Sequence, residues 1–265
     1  NIDPEDIKKK ITDKTKAIIP IHIYGHPADM DPIMEIAEEH NLYVIEDACQ
    51  AHGAKYKGKK VGTIGHAAAF SFQTSKNMTV LGDGGMLTTN DPEIAEYVLM
   101  FRDHGRKRMG EYLSEIVGHN FRLDEIKAAI GRAALKHLDE WNKRRREIAK
   151  IYDEELSGLK YVEPPKVADW AYHVYYRYVV KITGDRNKMQ FLKFMRDSGI
   201  GAISYRSCHI QPVFKKVEGY VPKLPVTEEL VDNRLADIPM HPELTDEEIS
   251  YIVEKVKEFS EKYTP

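Results

Sequence analysis

Apolar residues recur along this chain in two rhythms, and the switch between them outlines the elements. "AIIPIHIYG" (Ala17 to Gly25), "LYVIED" (Leu42 to Asp47), "AAAFSF" (Ala67 to Phe72) and "GGMLTT" (Gly84 to Thr89) are short, nearly continuous apolar or alternating runs that predict strands. Between them, "DPIMEIAEEH" from Asp31 sets Ile33, Ile36 and Ala37 on one helical face, and a second Asp-Pro opens a helix over Asp91 to Asp103. The opening "NIDPEDIKKKI" reads as a helix with Asp3 as N-cap and Pro4 as its first residue. Strands alternating with helices predict an α/β architecture with a mostly parallel sheet covered on both faces.

The rhythm changes after residue 121. "RLDEIKAAIGRAALKHLDEWNKRRREIAKIYDEEL" keeps a helical period throughout, with a break expected at Gly131 and an end at Ser157-Gly158. "YHVYYRYVVKI" (Tyr172 to Ile182) then alternates like a half-solvated strand. A helix over Arg186 to Ser198, a strand near Gly201 to Tyr205, and a closing helix capped by Thr245 with Glu248 three residues on complete the pattern. A domain boundary is expected within the long helix, giving a large domain over 1–140 and a small α+β domain over 141–265.

Composition narrows the function classes. The 265 residues are 42% hydrophobic and 31% charged, enough to bury one large core or two smaller ones. With 39 basic and 42 acidic residues the net charge is −3, so no global field draws the chain to nucleic acid or an anionic membrane. Cys49 and Cys208 are far apart and form no C-x-x-C pair, so neither a disulfide framework nor a thiolate metal site is expected. No apolar run approaches membrane-spanning length, and a cytoplasmic protein is expected.

Ligands of open parallel sheets collect beyond the carboxyl ends of the strands. That rule singles out Tyr24-Gly25-His26, Glu46-Asp47 with Gln50 and His52, and Ser71 with Lys76. A lysine in a dry pocket sheds its proton more readily than one in water, and the neutral amine condenses with a carbonyl. Pyridoxal phosphate supplies such a carbonyl, and its ring draws electrons only while a fixed carboxylate keeps the pyridine nitrogen protonated. Asp47 stands where that carboxylate is needed, with an amide (Gln50) beside it and a hydroxyl (Ser71) near the lysine. The plainer alternative is that a strand-end Asp forms a turn and a lysine after a strand is solvated.

The run "VIEDACQAHGAKYKGKKVGTIGHAAAFSFQTSKNMTVLGDGGMLTTND" resembles the core of the DegT/DnrJ/EryC1/StrS sugar aminotransferases: acid-x-x-Gln, then Ser-Phe followed by a lysine, then a Gly-rich loop. "RDHGR", "GHNFRLDEIKAAIG", "HLDEWNKRRREIA" and "LPVTEELVDNRLADIPMHPELTDEEI" are similar to its later blocks. The resemblance implies fold type I of the pyridoxal-phosphate enzymes. It makes Lys76 the cofactor-bonding and proton-moving lysine, Asp47 the partner of the pyridine nitrogen, Gln50 a contact of the phenolic oxygen and Ser71 a phosphate ligand. Asn120 matches the residue that reaches the partner subunit's phosphate in a homodimer. The implied reaction passes an amino group from glutamate to a nucleotide-linked keto-sugar, as in amino-sugar and polysaccharide biosynthesis, with a leaning toward perosamine-type 4-amino sugars. Members carrying His in place of the lysine are dehydratases, so Lys76 implies transamination. The chain departs from the pattern at Gln73, usually aromatic, and His119, usually Tyr.

The resemblance further implies that the chain lacks a front portion, including a phosphate-binding helix start. A non-catalytic or regulatory homologue that keeps the fold and dimer surface is therefore the alternative. Other signals are weaker. His22 and His26 lack a third ligand at useful spacing and read as core or substrate-lining residues; no metal is expected. "NKRRRE" (Asn142 to Glu147) reads as a solvated helix face. In "YRSCHIQP", Tyr205 and His209 are candidate contacts for sugar or nucleotide, with packing as the competing explanation.

Overall fold

The computed structural model describes residues 1–261 except Met109 and Tyr220. The chain forms two compact units, Asn1–Lys143 with Val167–Tyr176, and Arg144–Lys166 with Arg177–Pro265.

In the first unit, α1 (Pro4–Lys10) is capped by the Asp3 carboxylate, which accepts the Glu5 N–H. The first strand, β1, is only Ala17–Ile18. Pro20 has no N–H to give the ladder, so the long strand expected over Ala17 to Gly25 is cut short. Pairing resumes for one residue at Ile21, opposite Asp47. The helix α2 (Met30–Glu39) starts just ahead of the Asp-Pro pair, with Asp29 at the N-cap position. Its Ile33, Ile36 and Ala37 are buried as the period requires, each isoleucine contributing roughly 1.5–3 kcal/mol on full burial.

β2 (Tyr43–Asp47), β5 (Ala67–Ser71) and β6 (Gly85–Thr89) complete a four-stranded sheet in the order β1-β2-β5-β6. Between β2 and β5 lie the two-residue strands β3 (Lys55–Tyr56) and β4 (Lys59–Lys60). β1 and β5 run parallel to β2, and β6 closes the edge antiparallel to β5, so the sheet is mixed but mostly parallel. Its core joins Ile18, Val44 and Ala48 to Ile33 and Ile36 of α2.

After β6 come α3 (Pro92–Phe101), whose Asp91 cap accepts from Glu93 and Ile94, and α4 (Glu125–Leu135). The break between α4 and α5 (Leu138–Leu156) falls at Lys136-His137, beyond the expected Gly131. Gly131 is there for closeness: a Cβ on it would stand 3.1 Å from Val80 Cγ1.

The run Tyr172 to Ile182 does not form one strand. Its beginning belongs to β8 (Ala171–Tyr172), which pairs antiparallel with β3 in the first unit. Its end is β9 (Tyr178–Ile182) of the second unit, where β7 (Val162–Glu163) and β10 (Leu235–Ile238) flank it in an antiparallel sheet. Tyr175, at φ 45, turns the chain between the two. Gly201 to Tyr205 supplies only one bridge, Ile203 to Asp237. Around the second sheet are α6 (Lys188–Asp197), the short α7 (Pro212–Glu218), a turn α8 (Pro225–Thr227) running into a π-helical stretch, Glu228–Arg234, and α9 (Asp246–Glu261). The expected Thr245/Glu248 box is present, each residue's side chain taking the other's N–H. Among the described residues no helix is long and apolar enough to cross a membrane.

Candidate active site

Alternation along β2 sends two adjacent acids to opposite faces. Glu46 points into the core with no exposure. Its oxygens accept the N–H groups of Gly62 (2.6 Å), Ile64 (2.8 Å) and Gly65 (2.7 Å) and meet His22 Nε2 at 3.0 Å. Burial raises the carboxyl, but the bonds from His22 and the three backbone N–H groups outweigh it and hold Glu46 below the ordinary range. Because His22 Nδ1 accepts the Ala28 N–H, the ring proton sits on Nε2 and is donated to Glu46. His22 is thus a core residue. His26 accepts the Ala168 N–H and packs edge-on to Trp170; no cluster of metal-ligating side chains occurs among the described residues.

Asp47 lies on the other face, half-buried, and one oxygen accepts the Cys49 N–H at 3.0 Å. Gln50 Oε1 accepts the Tyr24 N–H at 2.8 Å, which fixes the amide and leaves its Nε2 as the free donor end. Tyr24 and Gly25 take positive φ values of 56 and 95, and a Cβ on Gly25 would lie 3.1 Å from the Gln50 backbone carbonyl oxygen and 2.9 Å from Val174 Cγ2. That close approach requires glycine.

The loop after β5 carries the remaining candidates. Ser71 Oγ accepts the Gln73 N–H, which leaves its hydroxyl proton to give. Lys76 is half-buried, its ammonium 4.5 Å from the centre of the Tyr176 ring. Burial and the Asp47 carboxylate push the Cys49 thiol up to about 12, while the Lys76 charge pulls it down. One thiol therefore feels both groups. His52 is depressed to about 4, first by burial and further by Lys76; neither ring nitrogen has a hydrogen-bond partner among the described residues. Asp47 and Ser71 thus end the neighbouring strands β2 and β5, and Gln50 and Lys76 lie on the loops that follow them.

The sequence profile of the DegT/DnrJ/EryC1/StrS aminotransferase family matches residues 1–257. The chain belongs to the DegT/DnrJ/EryC1/StrS aminotransferase family. It is 44% identical to the pleiotropic regulatory protein of Geobacillus stearothermophilus, over 98% of this chain and 69% of that one. To the GDP-perosamine synthase of Escherichia coli O157:H7 it is 38% identical, over 96% of this chain and 68% of the relative. Among solved structures, DesV of S. venezuelae in complex with a ketimine intermediate superposes with a TM-score of 0.92 at 36% identity, covering 99% of this chain and 70% of DesV. This aminotransferase family includes named sugar transaminases and in general depends on pyridoxal phosphate, and the chain shares the fold of its solved members.

The other candidate residues of this DegT-family chain are carried by other segments. Asn120 is exposed in a segment that bridges Asp103, between His119 and Phe121, whose rings stack 4.9 Å apart. Tyr205 and His209 belong to the second unit. Their segment is tied at three points: the Tyr205 carbonyl accepts from Lys188, Ser207 Oγ donates to Asp232 at 2.6 Å, and His209 meets Glu228 at 3.2 Å. "NKRRRE" is not the solvated face expected of it. Asn142 and Arg145 are buried, and Arg144 and Arg145 donate to the carbonyls of Leu244 and Met240. Sequence reasoning missed Tyr176, Asn77 and Asn142, which adjoin Lys76 or its loop.

Proposed function

We propose that the chain is a pyridoxal-phosphate aminotransferase, passing an amino group from glutamate to a nucleotide-linked keto-sugar as a cytoplasmic homodimer. The observation that carries this reading is geometric: Asp47 ends β2 in register with Ala69 of the neighbouring β5, and the chain leaving β5 at Ser71 carries the half-buried Lys76. The donor set fits the cofactor, since an amine, a carboxylate, an amide with its N–H end free and a hydroxyl with a proton to give all hang from two neighbouring strand ends. When bound, pyridoxal phosphate supplies an electron sink for charge developing on the substrate carbon.

The chain's own groups would do the rest. Asp47 offers fixed negative charge to a protonated ring nitrogen. Gln50 Nε2 donates to a phenolic oxygen and Ser71 Oγ to a phosphate. Lys76 Nζ takes a proton from the donor's amino-bearing carbon and delivers one during transfer to the sugar. Asn120, exposed in its bridge segment, is the group that reaches the partner's phosphate, and Tyr205 and His209 contact sugar or nucleotide. The perosamine synthase named above supports a nucleotide-linked amino sugar as the product.

Incubation of the 265-residue chain with pyridoxal phosphate, borohydride reduction and peptide mass mapping tests this reading. A pyridoxyl adduct at Lys76 is expected. The same experiment tests a second reading, a regulatory homologue without turnover, favoured by the name of the 44%-identical relative. An unmodified Lys76 peptide selects that reading instead.

A further inference from the structure

The loop bearing Lys76 is held on both sides of the lysine by one short, distant stretch. Ser75 Oγ lies 2.9 Å from the Tyr176 hydroxyl. Asn77 Nδ2 donates to the Val174 carbonyl at 3.1 Å and to Asn142 Oδ1 at 3.0 Å. Asn142 in turn donates to the His52 carbonyl at 2.8 Å, which ties the lysine loop to the loop following Asp47 and Gln50. These are interior bonds, with Asn77 5% exposed and Asn142 2%.

The stretch itself is braced and strained. Gly25 accepts the Val174 N–H at 3.1 Å. Tyr175, between the two attachment points, is held at φ 45, a left-handed conformation that costs a non-glycine residue roughly 1–2 kcal/mol. Tyr176 is 8% exposed, and its ring face lies under the Lys76 ammonium at 4.5 Å. Three contacts therefore converge on Ser75, Lys76 and Asn77 from Val174 and Tyr176.

We propose that Tyr176 is a positioning residue for Lys76, its ring seating the protonated amine while the ties of Ser75 and Asn77 fix the backbone on either side. The consequence for catalysis rests on the reading of Lys76 as the cofactor lysine. A ring face attracts an ammonium and not a neutral amine, so this seat holds the lysine in its charged form and releases it once the proton leaves. Among the described residues Tyr176 faces the amine at 4.5 Å, the Lys76 charge lowers Cys49 and His52, and Asp47 raises Cys49. A tyrosine that only fills space would leave the proton affinity of Lys76 unchanged.

Competitive acetylation of the full chain with acetic anhydride, between about pH 7 and 11, reads the acid dissociation constant of each lysine by peptide mass, with the exposed Lys150 as internal standard. Tyr176→Leu is expected to raise the dissociation constant of Lys76 about two- to fivefold, and Tyr176→Phe, which keeps the ring, to leave it within about twofold. Tyr176→Met replaces the leucine variant if that protein loses its fold, with the same expectation. An unchanged constant in a folded Leu or Met variant overturns the proposal, as does a Phe variant that behaves like Leu. Borohydride trapping of pyridoxal phosphate on the unsubstituted protein is run alongside. An adduct missing from Lys76 there removes the cofactor reading alone and leaves the acetylation result standing.

Discussion

Glu46 and Asp47 are sequence neighbours with opposite duties. Replacing Glu46 with alanine strands His22 and three loop N–H groups in the core, and each unmet group costs about 1–3 kcal/mol. Urea unfolding should show a loss of at least about 3 kcal/mol. Asp47→Asn keeps the shape but removes the charge; it should leave the urea midpoint nearly unmoved and weaken pyridoxal phosphate binding about 10- to 100-fold by absorbance titration. His52 gives a prediction in pH. Its folded value of about 4 lies below the ordinary 6.5, so the unfolded chain takes up the proton first as pH falls through that window. Stability conferred by the neutral ring is full above about 6.5 and declines toward 4. His52→Phe, packing against Phe70 and Phe72, should abolish that part of the decline when urea midpoints at pH 7 and 5 are compared. The residues on the β2 and β5 loops were legible in sequence because strand periodicity and the strand-end rule place them without reference to the rest of the chain. Tyr176 and Asn142 were not, since their roles arise from contacts spanning 65 residues or more.

At the scale of elements, capping was the most readable feature. Asp3, Asp91 and the Thr245/Glu248 box all cap as their local chemistry dictates. Asn187 makes a further full box with Gln190 at the head of α6. Asn187→Ala should cost about 1 kcal/mol, measured as a fall in the thermal midpoint. Misreadings have backbone causes. Pro20 withholds a donor within an apolar run, so its pattern says strand while its ladder cannot continue. Gly131 has the composition of a helix break but serves the approach of Val80. In Tyr172 to Ile182 the alternation persists through Tyr175, whose positive φ no residue-type rule announces for a tyrosine.

Across the whole molecule, the first sheet leaves large apolar side chains in water at or beside three of its strands. Tyr43 is 57% exposed, Ile19 58% and Met86 56%. Exposure on that scale accompanies association surfaces, and it supports the proposed homodimer. Sedimentation equilibrium should give twice the mass of one chain, and a single-chain mass would count against a cofactor site completed by the partner's Asn120. The α/β class was legible because alternating element types leave few arrangements. The return of Val167–Tyr176 to the first unit has no such signature, being a matter of which surface a ten-residue excursion finds.

That excursion sets the order in which the protein can be completed. The hydroxyl that meets Ser75 is encoded 101 positions downstream of it. During synthesis the Lys76 amine therefore emerges long before its resting place does, and the nascent chain carries an unseated loop until residue 176 has cleared the ribosome. Chains arrested at residue 165 and at residue 225 should differ in protease cutting around Thr74 to Met78, with the longer one protected.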